Sequence, residues 1–140
     1  RRGYRVATVK HHAHPGFEID YAGKDSWRHA RAGSDVVIIA APDKIASIRR
    51  LAREQSLDEI AAAVSGVDII LTDGYRSAGK PAIAVVRAAD AEELASLPAQ
   101  VFAVAADGPV SIGLPTFSRD DAGAIVDLIE QRFLQNRLHP

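Results

Sequence analysis

The sequence predicts an α/β fold: a mostly parallel β-sheet flanked by helices. Two observations carry this. Short, continuous, β-branched runs recur along the chain, as in strands covered on both faces. Between them lie amphipathic stretches that begin at capping residues and end at glycine or proline. Strand alternating with helix is the pattern of a parallel sheet with helices packed on it. The length of 140 residues suits a single domain, 1–140, with one core.

In chain order, Arg5–Lys10 alternates apolar and polar residues, as a half-buried strand does. Ser26 to Ala32, closed by Gly33, reads as a short helix. Val36–Ala41 is continuous and β-branched, the pattern of a strand buried on both faces. Asp43 precedes Ile45, Ile48, Leu51 and Ala52 at amphipathic spacing, which predicts a helix. Ser56 with Glu59 forms a capping box ahead of Leu57, Ile60, Ala61 and Val64, with Gly66 as the stop. Val67–Thr72, Ala82–Val86 and Val101–Ala105 are three further apolar strands. Asp90 with Glu93 opens a helix that Pro98 ends. Ser118 with Asp121 opens the last helix, whose apolar stripe is Ala122, Ile125, Val126, Ile129 and Phe133.

Composition narrows the function. Apolar residues make up 47% and charged residues 25%, which describes an ordinary folded chain rather than a disordered one. With no cysteine, disulfides and thiolate metal sites are excluded, which fits a cytoplasmic location. The apolar runs are too short to span a bilayer, and no signal peptide is visible, so no membrane partner is expected. Residues 1–31 carry seven Lys/Arg against three Asp/Glu, with four of the five histidines. Residues 88–131 carry eight acids and one base, Arg119. A basic front end suits an anionic ligand such as a polyphosphate; solvated faces of opposite sign are the alternative. Nucleic acid is not an expected partner, because no basic stripe with interleaved aromatics is present.

In parallel sheets, ligands bind outside the carboxyl ends of the strands. Those ends hold the candidate residues. Thr72-Asp73-Gly74 closes an apolar strand with a carboxylate, the way P-loop proteins hold Mg²⁺; an Asp-Gly turn is the alternative. Asp107 follows another strand and could accept from the adjacent N1 and N2 donors of guanine; Asp107-Gly108-Pro109 also reads as a plain turn. Lys10-His11-His12-Ala13-His14 follows the first strand. It suits phosphate contact, a solvated loop, or a metal site completed by Glu18 or Asp20. Two segments imitate phosphate loops. In Gly23-Lys24-Asp25-Ser26 the serine is displaced by one residue. Gly74 to Lys80 fits G-x-x-x-x-G-K, but Pro81 and a strand follow where a hydroxyl and a helix are required, so a loop between strands is expected.

Several stretches together resemble one family, MobB, the molybdopterin-guanine dinucleotide biosynthesis protein B. Gly3–His14 resembles its second strand and His-rich turn. Asp20-Tyr-Ala-Gly-Lys-Asp-Ser-Trp-Arg-His-Ala-Arg-Ala-Gly-Ser34 is similar to its Asp-x-Pro-Gly-Lys-Asp-Ser-x-Arg-His-x-x-Ala-Gly signature, the most specific match. Asp68–Tyr75 resembles Asp-x-x-Leu-Val-Glu-Gly-Phe, and Pro81–Arg87, Val101–Asp107 and Leu114–Leu134 resemble the closing strands and helix. The resemblance implies a P-loop NTPase-like (SIMIBI-type) fold that here begins after the family's first strand, P-loop and first helix. It implies a GTP-binding accessory protein with Mg²⁺, a weak GTPase at most in full-length members and inactive as this fragment. Such a protein assists a MobA-like guanylyltransferase in joining GMP to molybdopterin, and forms homodimers. By this resemblance, Asp73 sits near Mg²⁺. Lys10, His11, His12, His14 and Gly74 line the nucleotide site, and Gly23, Lys24, Asp25, Ser26 and Arg28 form the signature loop beside it. Asp73 stands where the family has Glu, one methylene longer. The other reading is a non-catalytic partner- or pterin-binding interaction domain without nucleotide chemistry. The absent Gly-Lys-Ser/Thr loop is expected to lie on a preceding segment.

Overall fold

The computed structural model describes residues 2–14, 16–88 and 90–135. The chain forms two compact units, Arg1–Tyr75 and Arg76–Pro140.

In the first unit, β1 (Val6–Lys10) pairs in parallel with β4 (Ile69–Asp73), in register from Val6↔Ile69 to Lys10↔Asp73. The entry to this pair is pinned by Arg5. Its backbone N–H donates to Asp68 Oδ2 at 2.8 Å, and its guanidinium to Asp68 Oδ1 at 2.8 Å. Between the two strands run α1 (Asp25–Arg31), β2 (Val36–Ala40), β3 (Ile45–Arg49) and α2 (Leu57–Ala62). The C-terminus of α1 is closed by Gly33 at φ +111°, a conformation open to glycine, with its N–H bonded to Ala30 O at 3.2 Å. α2 begins at the expected box: Glu59 N–H donates to Ser56 Oγ at 3.2 Å, and Ser56 N–H to Glu59 Oε2 at 2.9 Å. Leu57 is buried on its inner side.

The helix expected from Asp43 is absent. Residues Ile45–Arg49 instead form β3, antiparallel to β2, with Ala40 opposite Ile45 and Val36 opposite Arg49. Ala41 N–H donates to Lys44 O at 2.9 Å and closes a hairpin across Pro42-Asp43. The 3–4 spacing of Ile45, Ile48, Leu51 and Ala52 is short enough to be mimicked by a strand, and two β-branched isoleucines fit a pleated surface well. β2 is also less covered than its composition predicts: only Val37 is buried, and Val36, Ile38 and Ile39 are exposed. β2 has α1 against it and β3 beside it, which leaves one face of the hairpin open within this unit.

In the second unit, β5 (Ala82–Val86), β6 (Val101–Ala106) and β7 (Thr116–Ser118) form a parallel sheet in that order. Its core is Val86, Val104 and Ala106, with Leu94, Leu97 and Leu114 packed against it. α3 (Ala91–Ala95) starts at Asp90, whose Oδ1 accepts from Glu93 N–H at 2.9 Å. β7 was not expected. Ser118 ends this strand and does not cap the last helix. That helix, α4 (Ala122–Ile129), is capped by Asp121 through Ala124 N–H at 3.0 Å and continues as a wider turn over Glu130–Leu134. Phe133 meets Phe102 edge-on at 5.5 Å, with the Arg132 guanidinium 4.8 Å from the Phe102 ring centre. The expected loop Gly74–Lys80 contains one 3₁₀ turn, Arg76–Ala78, and leads into β5 without a helix. Among the described residues, no helix is long and apolar enough to cross a membrane.

Candidate functional site

Parallel pairing of β1 with β4 brings residues 63 positions apart to one sheet end. Lys10 and Asp73 are register partners there, and Lys10 Nζ donates to Asp73 Oδ2 in a close ion pair. Both side chains are 73% exposed. An ion pair so exposed adds about 0–1 kcal/mol at most, so it is not what holds the strands together. It leaves a cation and an anion side by side, each free to exchange its partner for a ligand.

His11 continues the ladder one step beyond the strands, its N–H donating to Asp73 O at 2.8 Å. Its side chain is held on three sides. Nε2 lies 2.7 Å from Glu54 Oε1. A carboxylate oxygen accepts, so Nε2 carries the proton and Nδ1 is the ring's acceptor while the imidazole is neutral. The Tyr75 ring stacks on it with centroids 4.4 Å apart and planes inclined by 28°. Beneath lies Gly74 at φ +97°, where a Cβ would stand 2.8 Å from His11 Cβ. Glycine is therefore required twice over, for the backbone angle and for the space. Tyr75 itself adopts φ +56°, a left-handed conformation that costs a bulky side chain about 1–3 kcal/mol. The Gly74-Tyr75 turn folds the aromatic ring back over His11.

The other predicted residues fall into separate groups. His12 and His14 turn to one another: His12 Nδ1 lies 2.8 Å from His14 O, and His12 packs on Phe17 at 5.4 Å. The three histidines do not converge, and the described residues hold no group of three or more His, Asp or Glu placed to bind a metal ion. An extended backbone sends His11 and His12 to opposite sides, which separates them. Gly23 (φ +90°) and Lys24 form the turn into α1, and Asp25, Ser26 and Arg28 lie in the helix itself. Lys24 is its N-cap residue, its N–H donating to Tyr21 O at 3.2 Å, and Arg28 lies 3.9 Å from Asp25. Among the described residues, no hydrogen bond or ion pair joins this turn to Lys10, His11 or Asp73. Nearby, Asp20 Oδ1 accepts from Tyr21 N–H, while Oδ2 is shielded from solvent without a partner.

Asp107 belongs to the second unit. It follows β6, and its Oδ1 accepts from Ala88 N–H at 2.7 Å. That bond, with the charges of Arg119 and Arg87, holds its carboxyl below the usual range.

Glu54 and Tyr75 were missed as site residues. Tyr75 had a signal, the acid–glycine–aromatic order after an apolar strand. Glu54 had none, since it lies in a loop 43 residues from His11.

One carboxylate fits what Mg²⁺ asks of a protein, which is one or two such ligands beside waters and phosphate oxygens. Asp73 would supply it, with Lys10 for a phosphate.

The chain has clear relatives. It is 31% identical over 131 residues to a molybdopterin-guanine dinucleotide biosynthesis adapter protein of Haemophilus influenzae, covering 92% of this chain and 73% of that one. A crystal structure of a molybdopterin-guanine biosynthesis protein B is similar with a TM-score of 0.74 at 36% identity, over 93% of this chain and 82% of that one. The Bacillus subtilis MobB structure gives 0.70 at 26% identity, over 92% and 80%. Residues 1–107 match the profile of the family described as molybdopterin guanine dinucleotide synthesis protein B, and the chain belongs to that family.

Proposed function

We propose that this chain is an adapter in molybdenum-cofactor biosynthesis, aiding the attachment of GMP to molybdopterin, and that it binds GTP with Mg²⁺ at the carboxyl ends of β1 and β4. The observation that carries the nucleotide reading is the exposed Lys10–Asp73 pair, set beside the clamped His11. Lys10 is the phosphate cation and Asp73 the Mg²⁺ carboxylate. Each satisfies the other until a ligand of opposite charge enters. The adapter role follows the names of the relatives, and its partner would be a MobA-like guanylyltransferase in the cytoplasm.

Calorimetric titration of GTP with Mg²⁺ into the protein at its natural full length tests this. Lys10→Ala and Asp73→Asn should each weaken binding at least tenfold while leaving thermal stability nearly unchanged, because an exposed pair contributes little to it. Binding that survives both changes refutes the assignment.

A second reading has its own observation. The hairpin face of Val36, Ile38 and Ile45 is open in its unit, with Ile38 59% and Ile45 71% exposed. These exposed apolar side chains share their face with Ser47 and Arg49, and exposed apolar surface rimmed by polar groups suits an interaction surface. It supports a partner-binding or homodimeric role without nucleotide chemistry, the reading selected if no GTP binds.

A further inference from the structure

Phe17, Ile19 and Tyr21 are 62%, 70% and 79% exposed, three large apolar side chains within five residues. A single exposed apolar residue is ordinary on a protein surface. A run of them suits a surface that a partner covers.

The backbone is as open as the side chains. From Phe17 to Ile19 the chain has no helix, turn or bend. Among the described residues, the backbone groups of Phe17, Glu18 and Ile19 make no hydrogen bond. Their N–H and C=O groups are left to solvent. Alternate groups of such a segment face one side, where a second strand pairs with them. Side chains alternate too, so a straight run places Phe17 and Ile19 on one face and Glu18 on the other.

The segment is anchored at both ends. Phe17 packs on His12 with ring centroids 5.4 Å apart. Beyond Ile19, Asp20 Oδ1 accepts from Tyr21 N–H at 2.8 Å, and Lys24 N–H donates to Tyr21 O at 3.2 Å. The stretch between these anchors is the part without partners, and holding its ends lowers the ordering cost of docking. Charge narrows the occupant. Residues 1–31 carry seven Lys/Arg, yet the exposed Glu18 carboxylate forms no ion pair among the described residues. It is open to a cation on an incoming chain.

We propose that Phe17–Tyr21 is the docking segment for the guanylyltransferase partner, taking an exposed edge strand of that enzyme by backbone pairing. The incoming strand sets apolar side chains beside Phe17 and Ile19, and a Lys or Arg beside Glu18. The inference rests on the adapter reading for the existence of a partner, but not on Lys10, Asp73 or a bound nucleotide.

The test measures binding of the natural full-length protein to the purified guanylyltransferase of the same organism, without nucleotide. Phe17→Ser and Ile19→Ser should each weaken binding about tenfold or more, as loss of an apolar anchor does. Glu18→Lys should slow association, most at low salt, where like charges are least screened. These positions are exposed, so thermal unfolding should be unchanged. The backbone pairing needs no variant. In hydrogen exchange, the amides of Glu18 and Ile19 should be unprotected in the free protein, and whichever faces the incoming strand should slow at least about tenfold in the complex. If the natural protein does not bind the enzyme, the adapter reading fails and the proposal with it. Binding that survives both serine changes, or amides that stay unprotected in the complex, overturns the proposal alone. Loss of binding in Ile45→Ser instead moves the partner to the hairpin and overturns it as well. A changed oligomeric state of free Ile19→Ser protein in sedimentation assigns the segment to a second copy, with the same consequence.

Discussion

Replacing Gly74 with alanine should be among the costliest single-methyl changes in this chain. Two penalties combine. At φ +97° an L-residue meets its own carbonyl, which costs about 1–2 kcal/mol. The new Cβ would also lie 2.8 Å from His11 Cβ, an atom attached directly to the backbone and unable to swing away. Forcing one extra methyl into a filled space costs about 1–3 kcal/mol. Together they predict a loss of about 2–5 kcal/mol, out of a total stability of about 5–15 kcal/mol. Gly66 provides the control. It has φ +72°, and nothing stands within 4 Å of a Cβ built there, so Gly66→Ala should cost only the backbone part, about 1–2 kcal/mol. Urea unfolding of both variants, read at a common slope of about 1–3 kcal/mol/M, should place the Gly74→Ala midpoint about 1 M below that of Gly66→Ala. The same variant should move the His11 ring resonances, because the ring is pushed from its place between Tyr75 and Glu54. Equal midpoints for the two variants would refute the steric argument, leaving Gly74 a residue chosen for its backbone angle alone.

Two further outcomes concern the α2 cap. Ser56→Ala removes the acceptor of Glu59 N–H and should lower stability by about 1 kcal/mol in thermal unfolding without altering GTP binding. A loss of binding in that variant would move the site towards α2. The second outcome is pH dependence. The Arg53 guanidinium, and then the Ser56 amide and hydroxyl, pull the Glu59 carboxyl down to about 2 from an ordinary 4.5. A carboxyl with a depressed folded value contributes stability that is complete above about 4.5 and is lost as pH falls towards about 2. Glu59→Gln should therefore flatten the stability profile between those values relative to the natural protein. An unchanged acid limb in calorimetric scans would show that the Arg53–Glu59 contact does not persist in solution.

Much of the fold was written in short windows of sequence. Capping at Ser56 and Asp90, the stop at Gly33, the strand Ala82–Val86 and the strand expected over Val101–Ala105, which runs one residue further, depend on residues within four positions of one another or on a single apolar run. Their energetics are local, so their signals are too. The alternation of these elements gave the α/β class, and the position of Lys10 and Asp73 at strand ends marked them as candidates before any pairing was known. The tertiary structure decided what depends on distant partners. Ile45–Arg49 is a strand because β2 lies opposite it, and a five-residue window cannot tell that pairing from a helical turn. β7 is only three residues long and is a strand by virtue of its place beside β6. His11 has its proton placed by Glu54, 43 residues away, and its ring covered by Tyr75, 64 positions on from it. The sequence names which groups can do chemistry. Only the folded chain, by bringing remote groups within hydrogen-bonding distance, decides which of them do it together.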